Sequence, residues 1–208
     1  MSAPRRVVHD YYRREHLEFF SRYRSPFYSV SFELDATALK SELERQGLAT
    51  YVNFAWTMTA ALQAVEDFRY RLEGGDVYLY EQLHPALTVP APGGRFSFCA
   101  LEFHPDRAEF NRRAAPRLEA ASAQVDLSGG RGPEYVYFTA LPGVPFTTFT
   151  HVAPDDPLAG QPRVAFGRFA RRDGRLLVPV ALLVNHVYID GAALGRLYEE
   201  AARRFAEP

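Results

Sequence analysis

The feature that most constrains the fold of this chain is an unbroken apolar run near its C-terminus, residues 176–184. A run of this length is typical of a buried strand. Apolar residues then recur at the three-and-four spacing of an amphipathic helix, at Ala193, Leu194, Leu197, Tyr198, Ala201 and Phe205. The pattern therefore predicts a buried strand that turns directly into a packed helix.

The junction between this strand and this helix carries the segment H-V-Y-I-D-G, from His186 to Gly191. A histidine at such a junction has a fixed backbone and a partly dry environment, and an imidazole can then act as a general base. Asp190 falls at the predicted helix start, where exposed N–H groups and the helix dipole favour a carboxylate. The alternative, a core histidine followed by an ordinary aspartate cap, remains open at this point.

Helical and strand patterns alternate along the rest of the chain. The spacing predicts helices over 10–23, 35–47, 51–66 and 105–124. It predicts strands over 28–34, 68–72, 77–80, 86–89, 96–102, 134–139, 146–151 and 163–170. Because no composition shift marks a linker, we expect a single α/β domain over 1–208.

Composition and missing motifs exclude several classes of function. A net charge of −1 and scattered arginines argue against a nucleic-acid partner, and no apolar run is long enough to span a membrane. The single cysteine, Cys99, excludes an internal disulfide and is expected to be a buried strand thiol. With no signal-peptide pattern at the N-terminus, we expect a cytoplasmic protein.

Several catalytic and binding motifs are missing from the sequence. The chain has no phosphate-binding glycine loop. It has no histidine or cysteine spacing for a metal, so we expect no bound metal. It also has no G-x-S-x-G nucleophile elbow.

Two families of acyl-CoA-dependent transferases carry an H-x-x-x-D-G segment near the C-terminus. The dihydrolipoyl acyltransferase cores are similar at Asp190-Gly191-Ala192, but Val187 stands where that family has arginine. The chain more closely resembles the classical trimeric chloramphenicol acetyltransferase family, in register over nearly its whole length. The matching segments are 13–20, 34–37, 68–69, 77–81, 84–85, 88–89, 96–97, 139–142 and 186–191.

The resemblance implies an α/β fold, a two-layer sandwich of a mixed β-sheet with helices. It implies a homotrimer with active sites between subunits, and acetyl-CoA as co-substrate. His186 would take the proton from an acceptor hydroxyl, which attacks the thioester directly. The imidazole's other nitrogen would be held by its own backbone carbonyl. Thr139 matches a serine whose hydroxyl donates to the oxyanion, and Asp190 matches a carboxylate that pairs with Arg13.

The departures from the family pattern fall around the acceptor. Asn185 replaces the usual histidine before the catalytic one, Gly143 replaces a tryptophan, and Ala165 replaces a threonine that orders water. Tyr28 matches a tyrosine of the acceptor pocket, whereas Pro26 and Phe27 before it differ. Pro26, Phe27, Tyr28, Gly143 and Ala165 are therefore the predicted substrate-binding residues, and Asn185 supports the site.

Three hypotheses about function remain from the sequence. The leading one is O-acetylation of chloramphenicol or a related hydroxyl compound, which implies a role in antibiotic resistance. The second is transfer of a different acyl group, or transfer to a biosynthetic acceptor. The third is a ligand-binding homologue without turnover, which the changes at Asn185 and Ala165 suggest.

Overall fold

The computed structural model describes residues 4–208. The strands are β1 (Arg5–Val7), β2 (Phe27–Asp35), β3 (Tyr70–Glu73), β4 (Asp76–Tyr80), β5 (His84–Ala91), β6 (Arg95–Ala100), β7 (Tyr135–Ala140), β8 (Arg163–Phe166), β9 (Ala170–Arg172) and β10 (Arg175–Asn185). The helices are α1 (Arg14–Phe20), α2 (Thr37–Arg45), α3 (Thr50–Ala64), α4 (Arg107–Ala123) and α5 (Gly191–Ala206), with short 3-10 turns at Glu66–Arg69 and Pro92–Gly94.

The apolar run forms the centre of β10, which lies inside a seven-stranded mixed sheet ordered β2–β10–β8–β7–β5–β6. β10 pairs antiparallel with β2 and β8, while β7 pairs parallel with both β5 and β8. The short β9 also pairs with β10. A separate three-stranded sheet is ordered β1–β4–β3.

Helices α2 to α5 cover one face of the large sheet, so the two-layer α/β sandwich with a mixed sheet is confirmed. Val178, Val180, Leu182 and Val184 of β10 belong to the buried cluster on that face. Because side chains alternate along a strand, the intervening residues of β10 face the other side of the sheet. Cys99 is buried on β6, as predicted.

Three predicted elements differ from the structure. The helix expected over 10–23 is reduced to Arg14–Phe20, and the strand expected over 146–151 is irregular. Pro142, Pro145 and Pro154 punctuate that segment, and proline cannot donate to a strand ladder.

The strand expected over 163–170 is divided into β8 and β9. The division lies opposite Pro179 of β10, which has no N–H to donate. There the N–H of Gly167 still donates to the Pro179 carbonyl at 2.9 Å. A Cβ on Gly167 would lie 2.6 Å from the Pro179 Cγ atom, so a side chain does not fit. A proline in β10 therefore interrupts its partner strand.

No helix within residues 4–208 is both long enough and apolar enough to cross a membrane.

Candidate active site

His186 lies at the C-terminal end of β10, where the backbone is held from two sides. Its N–H donates to the Pro26 carbonyl at 2.8 Å, directly before β2 begins. The turn that follows is closed by the Asn185 carbonyl, which accepts from the N–H groups of Tyr188 and Ile189 at 3.1 and 3.0 Å. The buried strand and this turn together fix the backbone of His186, at the strand-to-helix junction that the sequence pattern predicts.

The imidazole packs against two aromatic rings. Phe20 of α1 stacks on it, with ring centroids 4.1 Å apart and planes at 16°. The Tyr28 ring lies 4.9 Å away at 48°. The Nδ1 atom is buried and makes no hydrogen bond to any residue in 4–208, so the bond to its own carbonyl implied by the resemblance is not present. The residue as a whole is half-buried, so with Nδ1 enclosed we expect Nε2 to be the nitrogen that faces a substrate.

Asp190 has two structural contacts. One carboxylate oxygen caps α5 by accepting from the Ala193 N–H at 2.9 Å, and the other pairs with the buried Arg13 guanidinium. Burial acts to raise the pKa of Asp190, but the Ala193 N–H and the Arg13 charge outweigh it, and the pKa lies below its ordinary value. The structure therefore places Arg13 and Asp190 together, beneath the segment that carries His186.

Asn185 connects the end of β10 to the irregular segment after β7. Its side-chain amide donates to the carbonyls of Pro157 and Ala159 at 2.8 and 3.0 Å. Its side-chain oxygen accepts from the Val187 N–H at 2.9 Å. All of its polar atoms are thus used, and the buried side chain ties the loop to the residue after His186.

The predicted substrate residues 26–28 adjoin His186. Pro26 is buried and contributes the carbonyl described above, and Phe27 pairs with Asn185 across the strand ladder. The Tyr28 hydroxyl donates to the Ile189 carbonyl at 3.2 Å. Burial raises the pKa of Tyr28 to about 12, with the Asp190 charge adding to the effect, so the hydroxyl keeps its proton near neutral pH.

Thr139 lies on β7, on the face of the sheet opposite the helices, and lines a cavity of about 470 Å³. His186 is not part of that cavity. Thr139 pairs with Ala165 of β8, and Ala165 pairs with Ala181 of β10. His186 is therefore two strands away and five residues farther along, a Cα separation of roughly 19 Å. The structure does not bring the two predicted catalytic residues together within one chain.

The other predicted residues differ in exposure. Ala165 is fully buried beside Thr139, whereas Gly143 is exposed and has open space where a side chain would project.

Several residues of these sites were not predicted. Phe20 belongs to the segment that carries the family resemblance, but helical spacing gives no sign that it stacks on His186. Arg131, His151 and Arg163 line the cavity with Thr139. Arg163 of β8 pairs with Tyr137 of β7, and the sequence gives no sign of this pairing. Among the described residues, no group of three or more His, Cys, Asp or Glu could hold a metal ion.

The mixed sheet with helices on one face is the fold of CoA-dependent acyltransferases. A solved chloramphenicol acetyltransferase structure superposes with a TM-score of 0.90 over 97% of this chain and 100% of that chain, at 21% identity. The dihydrolipoamide acetyltransferase of Azotobacter vinelandii superposes less closely, with a TM-score of 0.63 over 93% of this chain and 86% of that chain, at 19% identity. At these identities the likeness concerns the fold alone.

Sequence comparison identifies the family. Residues 4–202 match the family described as chloramphenicol acetyltransferase, and the chain belongs to it. A chloramphenicol acetyltransferase of Streptomyces acrimycini is 33% identical, over 94% of this chain and 91% of its own length. One from Bacillus pumilus is 26% identical, over 94% and 90%. The chain is thus an enzyme, an acyltransferase, and the hypothesis of a non-catalytic homologue finds no support.

Proposed function

We propose that this enzyme transfers the acetyl group of acetyl-CoA to a hydroxyl of chloramphenicol or a related compound, with His186 as the general base. The observation that carries the proposal is the setting of the imidazole. Its backbone is fixed by Pro26 and its ring by Phe20 and Tyr28, while Nε2 remains the reachable nitrogen.

In the proposed reaction His186 Nε2 takes the proton of the acceptor hydroxyl as its oxygen attacks the thioester carbonyl. The Thr139 hydroxyl donates to the oxyanion of the tetrahedral intermediate. The C–S bond then breaks, and His186 returns the proton to the departing CoA thiolate. The acetyl ester and CoA are the products, and no acyl-enzyme forms.

The separation of His186 and Thr139 supports a site shared by two copies of the chain. A hydrogen-bond donor roughly 19 Å from the base cannot act on the same carbonyl within one subunit. We propose that His186 of one subunit meets Thr139 of the next in a homotrimer. The substrate would then lie between Phe27 and Tyr28 on one side and Gly143 on the other, whereas Pro26 and Ala165 are buried and would lie behind the residues that touch it. We also propose a cytoplasmic location, where acetyl-CoA is available.

The decisive experiment measures release of the CoA thiol with chloramphenicol present and absent. We expect chloramphenicol-dependent release by the wild type, and a fall in kcat of about 10²–10⁴ for His186→Ala. His9→Ala is the matched control, because the side chain of His9 is exposed and lies outside the site. Turnover of His186→Ala near that of the wild type would show that another group is the base.

A second candidate function is transfer to a different acceptor, or of a longer acyl group. The open space at Gly143 favours it, since nothing lies within 4 Å of an added Cβ there. A panel of acyl-CoAs and alcohols separates the two candidates. A strong preference for acetyl-CoA with chloramphenicol would eliminate this one.

A further inference from the structure

The cavity that contains Thr139 is lined by cationic groups without acidic counterparts. Arg163 and Arg131 contribute two positive charges, and no aspartate or glutamate lines the wall. His151 also lines it; burial lowers the pKa of this imidazole, so it adds no charge near neutral pH. A volume of about 470 Å³ is within the usual range for small-molecule sites.

Arg163 is held in place but is not neutralised. Its guanidinium carbon lies 5.6 Å from the centroid of the Tyr137 ring, and Nη1 donates to the Val152 carbonyl at 2.7 Å. Nε is buried and has no hydrogen-bond partner in 4–208. Neither Arg163 nor Arg131 takes part in any ion pair of the described chain. A partly desolvated guanidinium with an unused donor is costly unless an anion binds to it.

Arg163 also lies at a defined distance from Thr139. It pairs with Tyr137, two residues before Thr139 on the neighbouring strand, so both residues face the same side of the sheet. Two residues along a strand and one strand across amount to about 8 Å between Cα atoms. A small molecule that reacts where the oxyanion forms, next to Thr139, can therefore place another of its groups at Arg163.

We propose that the acceptor is an alcohol that carries a carboxylate, and that Arg163 binds this carboxylate and so determines specificity. The guanidinium presents several N–H donors in a fixed plane, which suits a carboxylate better than a neutral group. Arg131 is exposed and adds positive potential at the cavity mouth. The inference rests on the acyl transfer of the proposed function and belongs to its second candidate, a different acceptor, because chloramphenicol carries no carboxylate.

The test compares 4-(hydroxymethyl)benzoate with its methyl ester, two primary alcohols that differ in charge. Binding of each is measured by calorimetry, and turnover by CoA thiol release with acetyl-CoA. We expect the wild type to prefer the carboxylate. Arg163→Leu should reduce that preference by roughly 10- to 100-fold, the usual range for a charged hydrogen bond. Arg163→Lys, which keeps the charge, should retain part of it.

Arg168→Leu is the matched control, because it removes the same charge from an exposed position outside the cavity wall. It should leave the preference unchanged, and thermal melts establish that each variant is folded. Equal binding of acid and ester by the wild type would overturn the inference, as would an unchanged preference in Arg163→Leu. Binding is read independently of turnover. A carboxylate preference without thiol release would therefore support the inference while contradicting the proposed function.

Discussion

At the scale of single residues, Asp190 shows how one side chain stabilises the site in two ways. One oxygen caps α5, and the other neutralises Arg13, which is 4% exposed. The two contacts can be separated experimentally because asparagine caps a helix about as well as aspartate but carries no charge. The sequence predicts the cap from local pattern, whereas the partner 177 residues away follows only from the family resemblance.

We expect Asp190→Asn to lower the free energy of unfolding by about 1–3 kcal/mol. This is less than for a fully buried pair, because the Asp190 side chain is 37% exposed. Asp190→Ala should cost about 1 kcal/mol more, since it also removes the cap. Asp35→Asn is the control: Asp35 accepts from Thr37 at the start of α2, and its ion partner Arg175 is exposed. Equal losses at the two sites would show that the Arg13 pair contributes nothing.

The same pair predicts a pH dependence. The pKa of Asp190 is lowered in the folded state, so the unfolded chain binds its proton first as pH falls. Its contribution to stability is therefore complete above the unfolded pKa of about 4 and is lost as pH falls through the folded pKa. Urea unfolding of the wild type and Asp190→Asn should converge below about pH 4. A constant difference down to pH 2 would contradict this assignment.

At the scale of elements, β10 organises the site at both of its ends. Pro179 near its start interrupts the neighbouring strand and produces the break between β8 and β9. Asn185 at its end binds the carbonyls of Pro157 and Ala159. The segment between β7 and β8 has no strand pairing of its own, so this amide is one of its main attachments to the sheet.

We expect Asn185→Asp to loosen the loop at 154–161. The change removes two donors and sets a carboxylate against two carbonyl oxygens, at a cost of at least about 2 kcal/mol. Amide hydrogen exchange should be faster at Leu158 to Gly160 than in the wild type. Gln82→Glu makes the same chemical change where no side-chain hydrogen bond occurs in the described structure, and it should leave exchange unaltered. Unchanged exchange in Asn185→Asp would mean that other contacts hold the loop.

At the scale of the whole molecule, the two faces of the large sheet have different roles. One face is covered by α2 to α5, and the other carries Thr139, Arg163 and the cavity. His186 follows the end of β10, three residues beyond Leu183, which pairs with Arg163 of the cavity wall, but it does not line the cavity itself. A single chain thus carries both the proposed base and the proposed oxyanion donor but holds them apart. In the proposed trimer, the base of one subunit meets the oxyanion donor of its neighbour.

We expect subunit mixing to restore activity between two inactive variants. His186→Ala and Thr139→Ala are each denatured, combined in equal amounts and refolded together. If each site takes its base from one subunit and its oxyanion donor from the next, about a quarter of the sites regain both groups. Thiol release should then greatly exceed the average of the two variants refolded alone. A mixture no more active than that average would place both residues in the same subunit, and light scattering shows whether mixed trimers form.

Local periodicity in the chain was enough to predict the elements around the site. The apolar run at 176–184 and the spacing after Gly191 gave β10 and α5, with His186 at their junction and Asp190 at the helix cap. The resemblance added the pairing of Arg13 with Asp190 and the fold. The predictions of β10, α5 and the Asp190 cap were confirmed because hydrophobic periodicity and capping depend on residues only a few positions apart.

Contacts between residues far apart in the sequence became visible only in the folded chain. The stacking of Phe20 on His186, the binding of Asn185 to residues 157 and 159, and the position of Arg163 beside Thr139 all depend on loop paths and strand register. The expected strand at 146–151, which is not formed, has the same origin, because a segment with strand-forming residues becomes a strand only where a neighbouring strand can pair with it. The alternation of apolar residues fixes which face of a strand is buried, but for strands far apart in sequence the residues that meet are set only when the sheet assembles.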